Sequence, residues 1–155
     1  MVTPNKKARE VIKNIKYIVI ATVDEKGQPW NTPVAGFTFD DDYVFYWASW
    51  KENQHSKNIR ANGKAFVVLF DSTPEENNPP EGVYIDAQAL ELTDETEVMN
   101  AALVFKNDPY NSSDGKEYLG DKPRRIYKVI PKHIWLNSDS QVNGDFVDIR
   151  IEAED

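Results

Sequence analysis

The densest grouping of side chains able to hold a charged ligand lies in Ser49-Trp50-Lys51-Glu52-Asn53-Gln54-His55-Ser56-Lys57-Asn58, a polar run between a strand-like segment and a helix-like one. At such a junction the first-turn N–H groups lack partners inside the helix, and the positive end of its dipole faces outward. The junction therefore attracts anions. Ser49, Gln54, His55 and Ser56, with Lys51 or Lys57, add donors and cations there, the set that suits a phosphate monoester. A protonated histidine in a first turn opposes the dipole, so His55 is expected to be either neutral or paired with an anion. The simpler alternative is a solvated capping segment that holds no ligand.

A second candidate is Trp30-Asn31-Thr32-Pro33-Val34, at the start of a strand-like run after a turn containing Gly27. Pro33 cannot donate to a sheet ladder, which places this run at an edge or facing a ligand or partner. Trp47 and Trp50 are either barrel-core and interface anchors or rings packed beside a planar ligand. His133, with no second histidine or carboxylate at ligand spacing, reads as structural, and no metal site is expected. No nucleophile turn with a Ser-His-Asp set, no P-loop and no dinucleotide glycine fingerprint occurs.

The totals narrow the function further. A length of 155 residues with 40% hydrophobic content is enough for one self-sufficient domain. A formal charge of −8 opposes non-specific attraction to nucleic acid or anionic lipid, so neither partner is expected and an anionic ligand must be captured locally. With no cysteine, disulfides, thiolate metal sites and cysteine nucleophiles are excluded, in keeping with a reducing compartment. The apolar run Tyr17 to Val23 is too short for a membrane span and follows Lys13 and Lys16, which points to a cytoplasmic protein. The acidic runs Asp40 to Asp42 and Glu152 to Asp155 read as solvated surface.

The elements that must position these residues follow from periodicity. Thr3-Pro4 opens a helix with apolar Ala8, Val11, Ile12 and Ile15. Three strands are expected at Tyr17 to Val23, Trp30 to Phe39 and Tyr43 to Ala48, then a helix from about His55 to Asn62, stopped at Asn62-Gly63, and a strand Lys64 to Asp71. Ser72 to Pro80, with three prolines, is expected as a surface loop and possible lid. Gly82 to Leu92 alternates as a strand, and Asp94 with Glu97 offers a capping box for a helix through Phe105. Asn107 to Lys122 is polar and turn-rich. Arg124 to Ile130, His133 to Asn137 and Phe146 to Ile151, around an Asn143-Gly144 turn, close the chain as further strands. Connections too short for parallel crossovers make an antiparallel β-barrel with peripheral helices the expected, mainly β, fold.

With those residues in place, the chain resembles the pyridoxamine 5'-phosphate oxidase-like, FMN-binding split-barrel family along nearly its whole length. The resemblance is carried by Ala21-Thr22-Val23-Asp24 with Gly27 to Val34, by Tyr46-Trp47-Ala48-Ser49 with His55 to Asn62, by Gly82 to Ala87, and by Ile126 to Pro131 with Trp135-Leu136-Asn137. It implies one split-barrel domain over 1–155, with an N-terminal helix in 1–16 and the barrel in 17–152, forming a homodimer with FMN at the interface. The strand starting at Trp30, with Asn31, Thr32, Pro33 and Val34, and the strand ending Trp47-Ala48-Ser49 would flank the flavin. Lys51, Gln54, His55 and Asn58 would lie at its phosphate, with His55 and Lys51 neutralising charge. The second subunit would complete the pocket through Trp135 or the Ser72 to Pro80 loop.

The departures are equally informative. The family's namesake enzymes carry a Ser-Arg-Lys cluster and a C-terminal Arg-x-His element; here the corresponding stretches read Asn53-Gln54-His55 and Asn143-Gly144-Asp145-Phe146. Vitamin B6 oxidation is therefore not expected. The expectation is an FMN-dependent oxidoreductase acting on a small molecule or electron donor. The alternatives are a non-catalytic flavin-binding stress or sensor protein, or a barrel that takes haem or a deazaflavin, as relatives on this fold do.

Overall fold

The computed structural model describes residues 4–72 and 82–153. Helix α1 (Pro4–Asn14) buries Ala8, Val11 and Ile12 on one face, the stripe its apolar spacing requires. Strands β1 (Tyr17–Val23), β2 (Pro29–Ala35), β3 (Thr38–Phe39) and β4 (Phe45–Trp50) follow, then α2 (Gln54–Asn62), β5 (Lys64–Phe70), β6 (Gly82–Glu91), α3 (Glu95–Ala102), β7 (Arg124–Val142) and β8 (Asp145–Glu152). The expected loop and lid from Ser72 to Pro80 falls, after Ser72, outside the described residues.

Every strand pair is antiparallel, in the order β2-β1-β5-β6-β7-β4-β3, with β8 added to β7. The two end strands, β2 and β3, are separated in the chain only by Gly36 and Phe37. So short a link forces the sheet to curl until its ends meet, which makes it a barrel. Gly36 takes φ +64, and an added Cβ would stand 2.7 Å from Asn111 Nδ2 and 3.0 Å from Asp108 Oδ1. The expected strand to Phe39 is thus cut at this glycine corner.

Alternation then sorts the side chains. Ile18 and Ile20, Phe45 and Trp47, Val67 and Leu69, Ile85 and Ala87, and Tyr127 and Val129 fill the interior. A second cluster outside β4 and β7 packs Ala48 and Ile126 under α3 and the 3-10 turn Gly115–Tyr118. Asp94 caps α3 by accepting from the Glu97 N–H, as its sequence indicates. The tail of that helix tightens into a 3-10 turn, Leu103–Phe105.

β7 differs most from expectation: the two strands foreseen on either side of Pro131 are one continuous strand with a bulge. Ala87 pairs with Pro131 while Asp86 pairs with His133, so Lys132 is the extra residue. That residue rephases the strand. Before it Tyr127 and Val129 face inward; after it Leu136 does, sending His133 and Trp135 to the outer face. Beyond the barrel β7 continues into a two-stranded arm with β8, joined at Asn143-Gly144, where φ is 54 and 89. Both residues adopt the left-handed conformation that a tight primed hairpin turn needs.

The Gly36 corner supplies the first test. Gly36→Ala is expected to lower stability by at least about 1–2 kcal/mol through its left-handed backbone alone, before any clash with Asn111 is counted. A urea midpoint equal to that of the parent would show that this corner does not constrain barrel closure.

Candidate functional site

α1 leads into one end of β1, whereas α2 is fastened at the other. Asn62 donates to the Val23 carbonyl at 2.8 Å, and Asn58 donates to Thr22 Oγ1 at 3.0 Å. Ser56 donates to the Trp50 carbonyl at 2.9 Å. These anchors bury His55, Ser56, Asn58 and Ile59 along one side of the helix. Ser49, the last inward residue of β4, lies 2.9 Å from His55 Nε2 and accepts from the Asn53 amide at 3.2 Å. Having accepted from Asn53, Ser49 retains its own proton to give to Nε2, which suits an uncharged imidazole.

Burial confirms that state, since His55 is 2% exposed and desolvation lowers its pKa to about 4. In this state His55 spaces and holds the β4–α2 junction from within, enclosed beside Ser49. Tyr127 stacks under Trp47 with ring centres 5.5 Å apart and meets the His55 ring edge-on. Its hydroxyl donates to Glu91, which also receives Arg60 at 2.8 Å, and burial raises the hydroxyl's pKa.

What reaches solvent at this junction is Glu52, Asn53 and Gln54, while His55 and Ser56 are enclosed. The N-cap Asn53 makes no side-chain cap bond, its Nδ2 donating to Ser49, and the first turn of α2 carries no acidic residue. α3, by contrast, has its own cap in Asp94 and two glutamates in its first turn. The α2 start thus keeps its positive dipole end uncompensated, with Gln54 exposed and Lys51 half-buried beside it. Gln54 donates to Asn58 Oδ1 at 2.8 Å, and Lys57 pairs with Glu52 at 3.5 Å.

The other expected site residues divide between two faces. Trp47 is fully buried in the barrel core, and Ala48 lies against α3. Val34 belongs to the core, and Thr32 accepts from the Trp30 indole at 3.0 Å. Asn31 and Pro33 are exposed on the opposite face of β2. Asn31 heads a cross-strand row of Ala21, Phe66, Asp86 and His133. Trp135 stacks between Phe66 and His133, at 6.3 and 5.4 Å.

Two cavities lie away from the α2 start. One of about 410 Å³ sits on the outer face over β1, β5 and β6, floored by Ala21 and Phe66 and lined by Lys64, Lys132 and Asp86. The other, about 270 Å³, lies between β3, β4 and α3 beside Asp40, Tyr46 and Glu97. Neither is lined by an expected site residue. Sequence reading also missed Asn53, the anchors Thr22 and Asn62, and the carboxylate beside His133, whose Nδ1 lies 2.8 Å from Glu152 Oε1. That partner sits on a hairpin strand 19 residues away, beyond any local spacing rule. Among the described residues no cluster of three or more metal-ligating side chains occurs, and no helix is long and apolar enough to cross a membrane.

The neutral histidine sets a pH dependence. The unfolded chain takes a proton on His55 near pH 6.5, whereas the folded chain resists until about pH 4. Stability is therefore full above pH 6.5 and falls with acidification across that window, by at most about 1.4 kcal/mol per pH unit. His55→Gln should flatten this slope in urea unfolding between pH 4 and 6.5. Parallel slopes for parent and variant would contradict the assignment.

Comparison with known proteins follows this geometry. The family model described as pyridoxamine 5'-phosphate oxidase matches residues 4–138, and no curated protein matches the chain. Among solved structures, the chain is similar to a Bacteroides thetaiotaomicron protein described in terms of 5-nitroimidazole antibiotic resistance, at 12% identity over 84% of this chain and 81% of that one, TM-score 0.66. It is similar to HupZ of Group A Streptococcus, at 22% identity over 86% and 92%, TM-score 0.62. It is also similar to HutZ, the heme storage protein from Vibrio cholerae, at 13% identity over 84% and 91%, TM-score 0.62. Identities this low establish shared architecture, not shared chemistry. The matched span runs from α1 through the bulge of β7 to the base of the arm, so the chain belongs to the pyridoxamine 5'-phosphate oxidase family and has its split-barrel fold.

Proposed function

We propose that this protein binds FMN as a cytoplasmic homodimer and serves as an oxidoreductase toward a small molecule. The carrying observation is the start of α2, where the N-cap side chain makes no cap bond and the first turn carries no carboxylate. A phosphate there would take the N–H groups of that turn, with Lys51 and Gln54 beside it. On a chain of net charge −8 this is a local exception, which suits one bound phosphate and not a polyanion. Split-barrel proteins of this family are commonly dimeric, and a second subunit would cover the flavin's open side.

Bound FMN would supply hydride or electron transfer, while the protein fixes its position and electronic surroundings. The residues present fit a holding role. Asn58 and His55 brace the helix start from behind, and Asn31 presents a polar side chain from the β2 edge. His55, unprotonated and enclosed, is not placed to move a proton at neutral pH. The Asn53-Gln54-His55 sequence lacks the arginine and lysine of the namesake enzymes, so oxidation of vitamin B6 phosphates is not part of the proposal.

One observation favours a second reading. His133 Nδ1 faces the Glu152 carboxylate, which leaves Nε2 as the basic nitrogen beside the Trp135 and Phe66 rings. A carboxylate-oriented imidazole on an aromatic face is suited to an iron porphyrin, and HutZ is described as a heme storage protein.

Paired titrations separate the readings. On the FMN reading FMN binds at least tenfold more tightly than riboflavin. Asn53→Asp, whose carboxylate would cap α2 itself, should raise thermal stability, erase that preference and leave riboflavin affinity unchanged. Equal binding of both flavins by the parent protein would remove the phosphate site. A Soret band on hemin addition that is lost in His133→Ala, together with no flavin binding, would establish the haem reading instead. For a flavin-loaded protein, bleaching by reduced nicotinamide cofactors marks an enzyme, and persistent oxidised flavin marks a non-catalytic binder.

A further inference from the structure

The outer face of the sheet carries an uncompensated feature at each end. At one end is the 410 Å³ cavity, lined by Ala21 and Phe66, by Lys64 and Lys132, and by one carboxylate, Asp86. At the other end is the β7–β8 arm, whose last strand is almost wholly exposed. A two-stranded ribbon open on both sides has little stability of its own in water. This one leaves Val142 53%, Phe146 70% and Ile151 45% exposed.

The arm also contains an unfavourable pairing. Asp139 and Asp148 are directly opposed across β7 and β8, on the same face as Arg150 and Trp135. Opposed like charges weaken a ribbon. Among the described residues no ion pair reaches either carboxylate, and none reaches Lys64 or Lys132. Arg150, two residues along, is turned over the Tyr84 and Phe66 rings, at 4.2 and 5.5 Å. Phe146 shares that face at the tip, next to the acidic pair. Carboxylates and an exposed ring at one end thus complement an apolar hollow at the other, where two lysines outnumber the single Asp86 carboxylate.

We propose that the arm is a clasp for a second copy of this chain: Phe146 of each protomer enters the outer cavity of its partner, and Asp139 and Asp148 meet the partner's Lys64 and Lys132. A two-fold axis through the aromatic centre of the face, near Trp135 and Tyr84, brings each end onto its opposite in the other protomer. The surface is then complementary to itself, as an isologous dimer requires. The charges choose this occupant: an acidic arm on an acidic protein is repelled by most of its own surface and accepted where lysines cluster around a hollow. This clasp specifies the dimer invoked for the cofactor reading, but it does not require the cofactor.

Charge exchange tests it on the full-length, flavin-free protein by sedimentation velocity across a dilution series. The parent should dimerise. Asp148→Lys alone and Lys64→Glu with Lys132→Glu should each weaken the dimer at least tenfold while leaving the far-UV circular dichroism unchanged. Joining Asp139→Lys and Asp148→Lys with the two lysine reversals should return it to within about threefold of the parent. Phe146→Ser should weaken it without changing any charge. A parent monomeric at all concentrations, single exchanges without effect, or a combined variant weaker than either part would overturn the clasp. Because no flavin is present, failure of the FMN reading leaves the outcome unchanged, and loss of FMN binding with an intact charge-exchange pattern would count against that reading alone.

Discussion

The hydrogen bond between Ser49 and His55 sets where the chain leaves the barrel wall and where α2 begins. Everything at the candidate site follows from the direction this bond imposes. It draws the imidazole inward, where burial keeps it neutral, and the same Ser49 oxygen accepts from the Asn53 side chain. Polar groups buried without partners are costly, so Ser49, His55, Ser56 and Asn58 are paired inside, and Asn53 and Gln54 are what the helix start leaves at the surface. Asn58 on Thr22 and Asn62 on Val23 then hold the helix against β1, so that its start is presented from a rigid element.

β7 plays the corresponding part for the outer face. It pairs with β6 on one side and with β4 and then β8 on the other, so most of the sheet's order passes through it. The single extra residue, Lys132, divides the strand into two phases. Without it His133 and Trp135 would turn into the barrel, and the outer face would lose its aromatic centre. Pro131 makes such a break understandable, since a residue without an N–H cannot continue the ladder normally.

Much of this was legible from local chemistry. Alternating apolar residues locate β1, β5 and β6 closely, Asp94 marks the start of α3, and Asn143-Gly144 marks the arm's turn. Those signals lie within a few residues of what they determine. Burial and partnership do not: nothing near His55 in the sequence shows that Ser49 and the Tyr127 ring will enclose it, or that Glu152 will return to His133. Trp47 illustrates the same limit, since an aromatic at a strand end fits a ligand platform and a core equally well until the opposing strand is known. The Gly36 corner was missed for another reason. One glycine inside a β-rich run is weak evidence of a break unless the closure it serves is already in view.

Family membership accounts for the barrel but does not choose among the ligands that such barrels hold, and the choice returns to the first turn of α2. Backbone amide resonances of the flavin-free protein, followed by two-dimensional NMR during FMN addition, test that turn directly. The largest shifts are expected at the N–H groups of Asn53 and Gln54, absent when riboflavin replaces FMN. Shifts confined to the outer face around Phe66, Asp86 and His133, with the α2 amides unmoved, would contradict this expectation.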